Sequence, residues 1–160
     1  MTPPDVRLRT VEDADLPFFF AHLQDPEAIQ MAAFTPADPS DRDGFEARWQ
    51  RIRTHPTGTV RTVLADGQVA GHVASFDYAG NTEVTYWLGR EHWGRGVATR
   101  ALREFLAEVT IRPLHARAVQ DNAASLQVLE RCGFRVCGQD RGFANGRAAE
   151  VAEYVLVLDA

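Results

Sequence analysis

A mixed α/β sandwich, with helices laid on a central sheet, is the fold class this sequence predicts. Three observations predict it. Helix-spaced apolar residues fill much of the first fifty positions, the period shifts to that of strands from Thr59, and two further helical patterns interrupt those strands. At 160 residues, with 45% apolar and 24% charged, the chain is expected to be one soluble domain over 1–160 with its own core.

The elements follow in order. Val6-Arg7-Leu8-Arg9 alternates as a short strand, and Asp13 or Asp15 can cap a helix through Phe18-Phe19-Phe20-Ala21-His22-Leu23. Asp25-Pro26-Glu27 turns the chain into a second short helix. Two prolines make residues 35–40 a loop, because each removes a donor and fixes φ. A helix over 41–53 then sets Phe45, Trp49 and Ile52 on one side.

Strands over 60–65 and 68–76 flank Asp66-Gly67 as a hairpin, and a third strand over 83–88 follows the Ala79-Gly80-Asn81 turn. Ala98, Ala101, Leu102, Phe105, Leu106 and Val109 recur at helical spacing and define a buried face. A strand over 115–119, a helix over 123–131 and strands over 135–140 and 151–158 complete the chain, the last two joined across Asn145-Gly146.

Composition excludes several function classes. The net charge of −5 argues against nucleic acid as the main partner. Ten acids against four arginines in the first fifty residues make that third acidic, which suits a cationic substrate or simply a solvated surface. All 17 basic residues are arginine, as a GC-rich coding genome would give, so lysine Schiff-base chemistry and a P-loop lysine are ruled out. Cys132 and Cys137, without a clustered histidine, read as reduced thiols and not as a metal site. No apolar run spans a membrane and the N-terminus opens no signal peptide, so a cytoplasmic location is expected.

The chemistry concentrates in Tyr86-Trp87-Leu88-Gly89-Arg90-Glu91-His92-Trp93-Gly94-Arg95-Gly96-Val97-Ala98-Thr99. A strand there passes through a glycine turn into an amphipathic helix, which gathers unpaired N–H groups and the positive helix end at one point. Such a point suits a phosphate or pyrophosphate. Gly94 and Gly96 let the backbone approach phosphate oxygens, the amides from Arg95 to Thr99 face them, and Arg90 and Arg95 can add charged contacts. Thr99 stands where a dinucleotide-binding G-x-G-x-x-G would need glycine. On its own, the loop equally fits a helix start behind a flexible turn.

A second pattern, Asn122-Ala123-Ala124-Ser125 followed by Cys132-Gly133-Phe134, lies about two dozen residues on. Asn122 and Ser125 share one helix face, although Asn122 also reads as an ordinary N-cap. Together the two patterns, in the order strand, W-G-R-G-V-A-T, helix, strand, N-x-x-S, C-G-F, strand, strand, resemble the GNAT superfamily of N-acetyltransferases. The branch most similar contains the ribosomal-protein N-terminal alanine acetyltransferases. The resemblance runs from Val6 to Leu158. Trp93 departs from the Gln or Arg that usually opens the superfamily's Q/R-x-x-G-x-G/A loop.

This resemblance implies the acyl-CoA N-acyltransferase fold, with a mixed, mostly antiparallel sheet splayed in the middle and flanked by helices. It implies acetyl-CoA as co-substrate, no metal, and direct attack of a primary amine on the thioester. The amine could be a protein N-terminus, an amino acid or a small molecule. Trp93, Gly94, Arg95, Gly96, Val97, Ala98 and Thr99 would hold the pyrophosphate, with Arg90 or Arg95 toward a further phosphate. Asn122 would bind the pantetheine arm and Ser125 would protonate the leaving thiolate; Leu129 occupies the place of a tyrosine that some relatives use. Glu83 matches the general base, or is a solvent-facing strand carboxylate. A backbone N–H near Trp87 or Leu88 would stabilise the oxyanion.

Tyr86 or Trp87 could flank the thioester. His92 could order the loop, and His72 is expected to be packed. Trp49, Phe19, Phe20 and Phe34 are expected in the core or along the acceptor pocket. A homodimer through an edge strand or the C-terminal strand is compatible with this reading. The competing expectations are a catalytically silent CoA-binding module and an enzyme for longer acyl chains.

Overall fold

Two of the three early helices start on a capping aspartate in the computed structural model, which describes residues 2–160. Asp25 accepts from the Glu27 N–H at 3.1 Å and opens α2 (Pro26–Ala32). Asp41 accepts from the Gly44 N–H at 3.0 Å and opens α3 (Arg42–Thr54). Each side chain satisfies a donor that the first helical turn leaves free.

Helix α1 (Leu16–Leu23) corrects the expectation of an aspartate cap. Asp15 makes no capping bond to this helix. Its carboxylate is buried and accepts from Arg9 at 2.7 and 2.8 Å, from Thr62 Oγ1 at 2.6 Å and from the Glu12 N–H at 2.9 Å. Burial pushes the Asp15 carboxyl up, but the hydrogen bonds from Arg9, Glu12 and Thr62 outweigh it and hold it below its ordinary value. Asp13 pairs instead with Arg53 of α3.

The strands are β1 (Val6–Arg9), β2 (Thr59–Ala65), β3 (Gln68–Tyr78), β4 (Asn81–Leu88), β5 (Leu114–Val119), β6 (Arg135–Ala144) and β7 (Ala149–Leu158). They form one sheet in the order β1-β2-β3-β4-β5-β7-β6, antiparallel throughout except between β4 and β5. Helices α4 (Val97–Glu108) and α5 (Ala123–Arg131) complete the chain. The mixed architecture and mostly antiparallel sheet are those expected.

Strand β6 outruns its sequence signal furthest. β6 continues past Asp140 to Ala144, pairing Gly142 with Val151 and Ala144 with Ala149. Polar residues and Gly142 hide that extension in the sequence, and the partner strand supplies the order.

Alternation along β4 divides the two faces. Val84, Tyr86 and Leu88 pack toward Val97, Leu102 and Phe105 of α4 in the main core. Trp87 points the other way, into a second cluster with Phe19, Phe45 and Trp49. Phe19, Trp49 and the partly buried Phe20 therefore belong to that cluster. His72 lies edge-on to Phe19 and Trp49 and is partly buried. That burial, with the positive charges of His22 and Arg48, pushes its pKa down to about 3, so it is a packed neutral residue.

Between β4 and β5 the sheet opens. Their one registered pair is Glu83 with His115, near the start of both strands. Beyond it the strands part toward their C-terminal ends, where the loop before α4 and the start of α5 lie. Among the described residues no helix is long and apolar enough to cross a membrane.

Candidate functional site

The parting strands form a cavity of about 1000 Å³, with the start of α4 at one end and charged strand residues at the other. Glu83, Trp87, Leu88, Trp93, Gly94, Gly96, Val97, Ala98, Thr99, Asn122 and Ser125 line it. Residues far apart in the chain, and predicted for one site, are thus brought together.

At the α4 end the groups on offer are backbone amides. Gly94 and Gly96 have φ of 71° and 76°, and a Cβ on either would project into open space. Gly96 is the N-cap, without a side-chain capping bond, and the first helical bond runs from the Arg100 N–H to its carbonyl at 3.2 Å. The N–H groups of Val97, Ala98 and Thr99 therefore precede the helical ladder and remain available to an anion. Trp93, the departure from the usual loop, donates its Nε1–H to the Leu88 carbonyl at 3.1 Å and fastens the loop to β4.

The two arginines expected beside this cradle are elsewhere. Arg90 is absent from the cavity wall; its guanidinium pairs with Asp25 and with Glu27. It ties the loop to the start of α2, where two acids compensate its charge. Arg95 is also outside the wall, with Asp66 at 3.5 Å. His92 is buried against the cavity with Nδ1 unpartnered.

Backbone geometry separates the two proposed oxyanion donors. The Gly89 N–H bonds the Ala70 carbonyl on β3, so by antiparallel alternation the Trp87 N–H also faces β3. The Leu88 N–H faces the gap. A Cβ at Gly71 would collide with the Trp87 carbonyl oxygen, so glycine there permits this close β3–β4 approach.

At the mouth of α5, Asn122 is the N-cap: its Oδ1 accepts from the Ser125 N–H at 3.2 Å and its Nδ2 donates to the Met31 carbonyl at 3.4 Å. Ser125 Oγ lies 3.0 Å from the Tyr86 hydroxyl. Burial pushes the Tyr86 phenol up to about 12, with the Ser125 hydrogen bond pulling against it. Leu129 is buried in the main core.

The far end is built from side chains on four strands. Arg117 of β5 donates to Glu83 of β4 at 3.0 Å, to Asp140 of β6 at 2.9 Å and to Glu153 of β7 at 2.9 Å. Glu83 is 5% exposed, which rules out a solvent-facing carboxylate. Burial opposes the Arg117 charge, but the three carboxylates outweigh it and raise its pKa. Burial pushes Glu153 up against the pull of Arg117, and the charges of Asp140 and Glu83 push the same way. Tyr78 stacks on the guanidinium, 5.3 Å from ring centroid to Cζ, and Phe34 lines the rim.

Sequence reading missed Arg117, Asp140 and Glu153 as site residues. A usable signal existed for two of them. Single charges inside the apolar strands Leu114-His115-Ala116-Arg117-Ala118-Val119 and Val151-Ala152-Glu153-Tyr154-Val155-Leu156 need buried partners, and an Arg and a Glu imply each other.

Comparison with known proteins agrees with this geometry. Residues 5–135 match the family model described as an acetyltransferase (GNAT) domain. A candidate ribosomal N-acetyltransferase of Bacillus subtilis strain 168, YdaF, is 25% identical over 148 residues, covering 84% of this chain and 81% of that protein. Mycobacterium smegmatis RimJ, solved with CoA-disulfide, superposes with a TM-score of 0.80 at 20% identity, covering 99% of this chain and 86% of that one. Spermidine N-acetyltransferase from Vibrio cholerae, solved with CoA and spermine, gives 0.77 at 19% identity over 95% of each chain.

Proposed function

This chain belongs to the GNAT acetyltransferase family and is an acyltransferase, and we propose that it moves an acetyl group from acetyl-CoA to a primary amine. The observation that carries the proposal is the gap between β4 and β5, which joins an uncapped helix start to a cluster of carboxylates. Acetyl-CoA fits it end to end. Pyrophosphate meets the amides of Val97, Ala98 and Thr99 in the cradle of Trp93, Gly94 and Gly96, and the pantetheine arm runs beside Leu88 and Asn122. The thioester then lies near Leu88 and Ser125, with the Leu88 N–H toward the carbonyl oxygen.

An amine arrives largely as ammonium and must lose a proton before it attacks. In this proposal Glu83 takes it through Oε1, since its ion pair with Arg117 engages Oε2. The amine nitrogen bonds the carbonyl carbon, the carbon–sulfur bond breaks, and Ser125 supplies the proton to sulfur. Ser125 is restored by the proton held on the base, and the nitrogen sheds its second proton to water as the amide forms. No acyl-enzyme is needed. A second assignment, favoured by the raised pKa of Glu153, makes that residue the base. The acceptor end, three carboxylates around one guanidinium, suits a cationic amine such as a protein N-terminus, an amino acid or a small-molecule amine. A ribosomal relative and a polyamine-acetylating neighbour fall within that range. One domain over 1–160, a cytoplasmic location, a homodimer through an edge strand, and no membrane or nucleic-acid partner complete the proposal.

Two measurements test it. Acetyl-CoA should raise the melting temperature well above any shift from AMP or NAD, because ligand that binds only the native state stabilises it; equal shifts would refute the CoA site. Thiol release should accompany acetylation of at least one member of an amine and peptide panel. CoA binding without turnover on the panel would instead establish the catalytically silent module.

A further inference from the structure

Two hydroxyls meet in the middle of the cavity. Tyr86 reaches from β4 and Ser125 from the first turn of α5, with 3.0 Å between their oxygens and both side chains on the cavity wall. Tyr86 packs against the main core, which fixes its ring, while the Asn122 cap fixes the backbone N–H of Ser125. Nothing in the fold requires this pair: phenylalanine and alanine would fill the same positions. The Tyr86 hydroxyl has no other partner that would account for it among the described hydrogen bonds.

We infer that Tyr86 and Ser125 form a two-hydroxyl relay that protonates the departing thiolate, Tyr86 acting through Ser125 as a proton-supplying positioning residue. The inference rests on the acetyltransferase reading above. A phenol is the stronger acid of the two hydroxyls, so Tyr86 donates to Ser125 Oγ and leaves the Ser125 proton directed into the cavity. As the carbon–sulfur bond breaks, its electron pair remains on sulfur. Sulfur takes the Ser125 proton while Ser125 takes the phenolic proton. The proton lost by the amine waits on the carboxylate base. It then returns to the Tyr86 phenolate through water in the open cavity. The nitrogen's second proton leaves to water as the amide forms, so the protons balance with one released to solvent. A serine alone would become a strongly basic alkoxide; the phenol behind it, still the stronger acid of the two, lessens that obstacle.

Tyr86→Phe, which retains the ring, should lower kcat by about 10- to 100-fold, within the range of general-acid effects, with KM for acetyl-CoA and the melting temperature nearly unchanged. Ser125→Ala should cost a similar factor, and the double variant no more than the larger single loss, because either change breaks one relay. Bound CoA supplies a readout that needs no turnover. Its thiol should ionise at lower pH in the wild type than in Tyr86→Phe, measured as thiolate absorbance of the CoA complex minus that of the desulfo-CoA complex. If Tyr86→Phe does not fold, Ser125→Ala carries the same titration. Additive losses, or thiol ionisation indifferent to either substitution, would overturn the relay. A wild type that acetylates normally beside an indifferent Tyr86→Phe overturns the relay alone. A wild type without acetyl transfer overturns the acetyltransferase reading, and the relay with it.

Discussion

The two ends of the cavity are built on opposite principles. The cradle before α4 offers backbone N–H groups from a continuous stretch of chain, and the two arginines beside it in sequence are paired elsewhere. The acceptor end offers side chains from β4, β5, β6 and β7, held by one guanidinium. In the proposed binding mode the first recognises a group that every acyl-CoA carries, so fixed dipoles suffice. In that mode the second has to hold one amine and accept its proton, which needs charges whose protonation can change. Constant chemistry is written in backbone and selective chemistry in converging side chains.

The largest effect should separate the two carboxylates at the selective end. Glu83→Gln should lower kcat by about 100-fold or more if Glu83 is the base, while Glu153→Gln does so in the other assignment. The pH profile sharpens the choice. A base must be ionised, and burial raises Glu153, so activity resting on it is lost as pH falls through a value above the ordinary glutamate range. Unchanged rates in both variants would leave the acceptor end without a proton acceptor.

Arg117→Met tests whether the guanidinium holds that end together. Its removal leaves two mostly buried carboxylates and Asp140 without their cation, a cost of about 3 kcal/mol at neutral pH. In the variant these acids repel one another, so their folded pKa values rise above the unfolded ones. Stability is then retained at low pH and lost as pH rises through the raised values. Melting curves at pH 4 and pH 8 should therefore diverge from the wild type mainly at pH 8.

At the cradle, Gly96→Val forces a β-branched residue to a φ of 76°. Strain of about 1–3 kcal/mol should weaken acetyl-CoA binding roughly 10- to 100-fold by calorimetry if binding selects that geometry. Arg90→Ala should have the smallest effect, less than about 2-fold on the same affinity, since its partners are exposed or on α2. A large loss there would mean that the cradle depends on side-chain charge after all, and the contrast between the ends would fail.

The same contrast governs how much could be read in advance. The glycines at 94 and 96, the switch from strand to helical period, and the Asn122–Ser125 spacing are local, and local patterns survive in a sequence. Arg90 misled because a guanidinium beside a phosphate-type loop looks like a ligand, while its partner Asp25 lies 65 residues away. Asp15 misled for a similar reason: an aspartate before a helix is usually a cap, but Arg9 and Thr62 claimed it. Glu83 was legible as a strand carboxylate. Its burial and its guanidinium partner were not.

By itself, then, the sequence determined the order of elements, the main apolar faces and the glycine turn before α4, because each depends on residues within a turn or two of one another. Only the tertiary structure decided where β4 and β5 part, which backbone N–H faces the gap, and which charges meet at its far end. Those outcomes depend on sheet order and register, which bring Glu83, Asp140 and Glu153, spread over 70 residues of chain, within 3.0 Å of Arg117. Burial then makes the pairing of such charges compulsory, which no local pattern records.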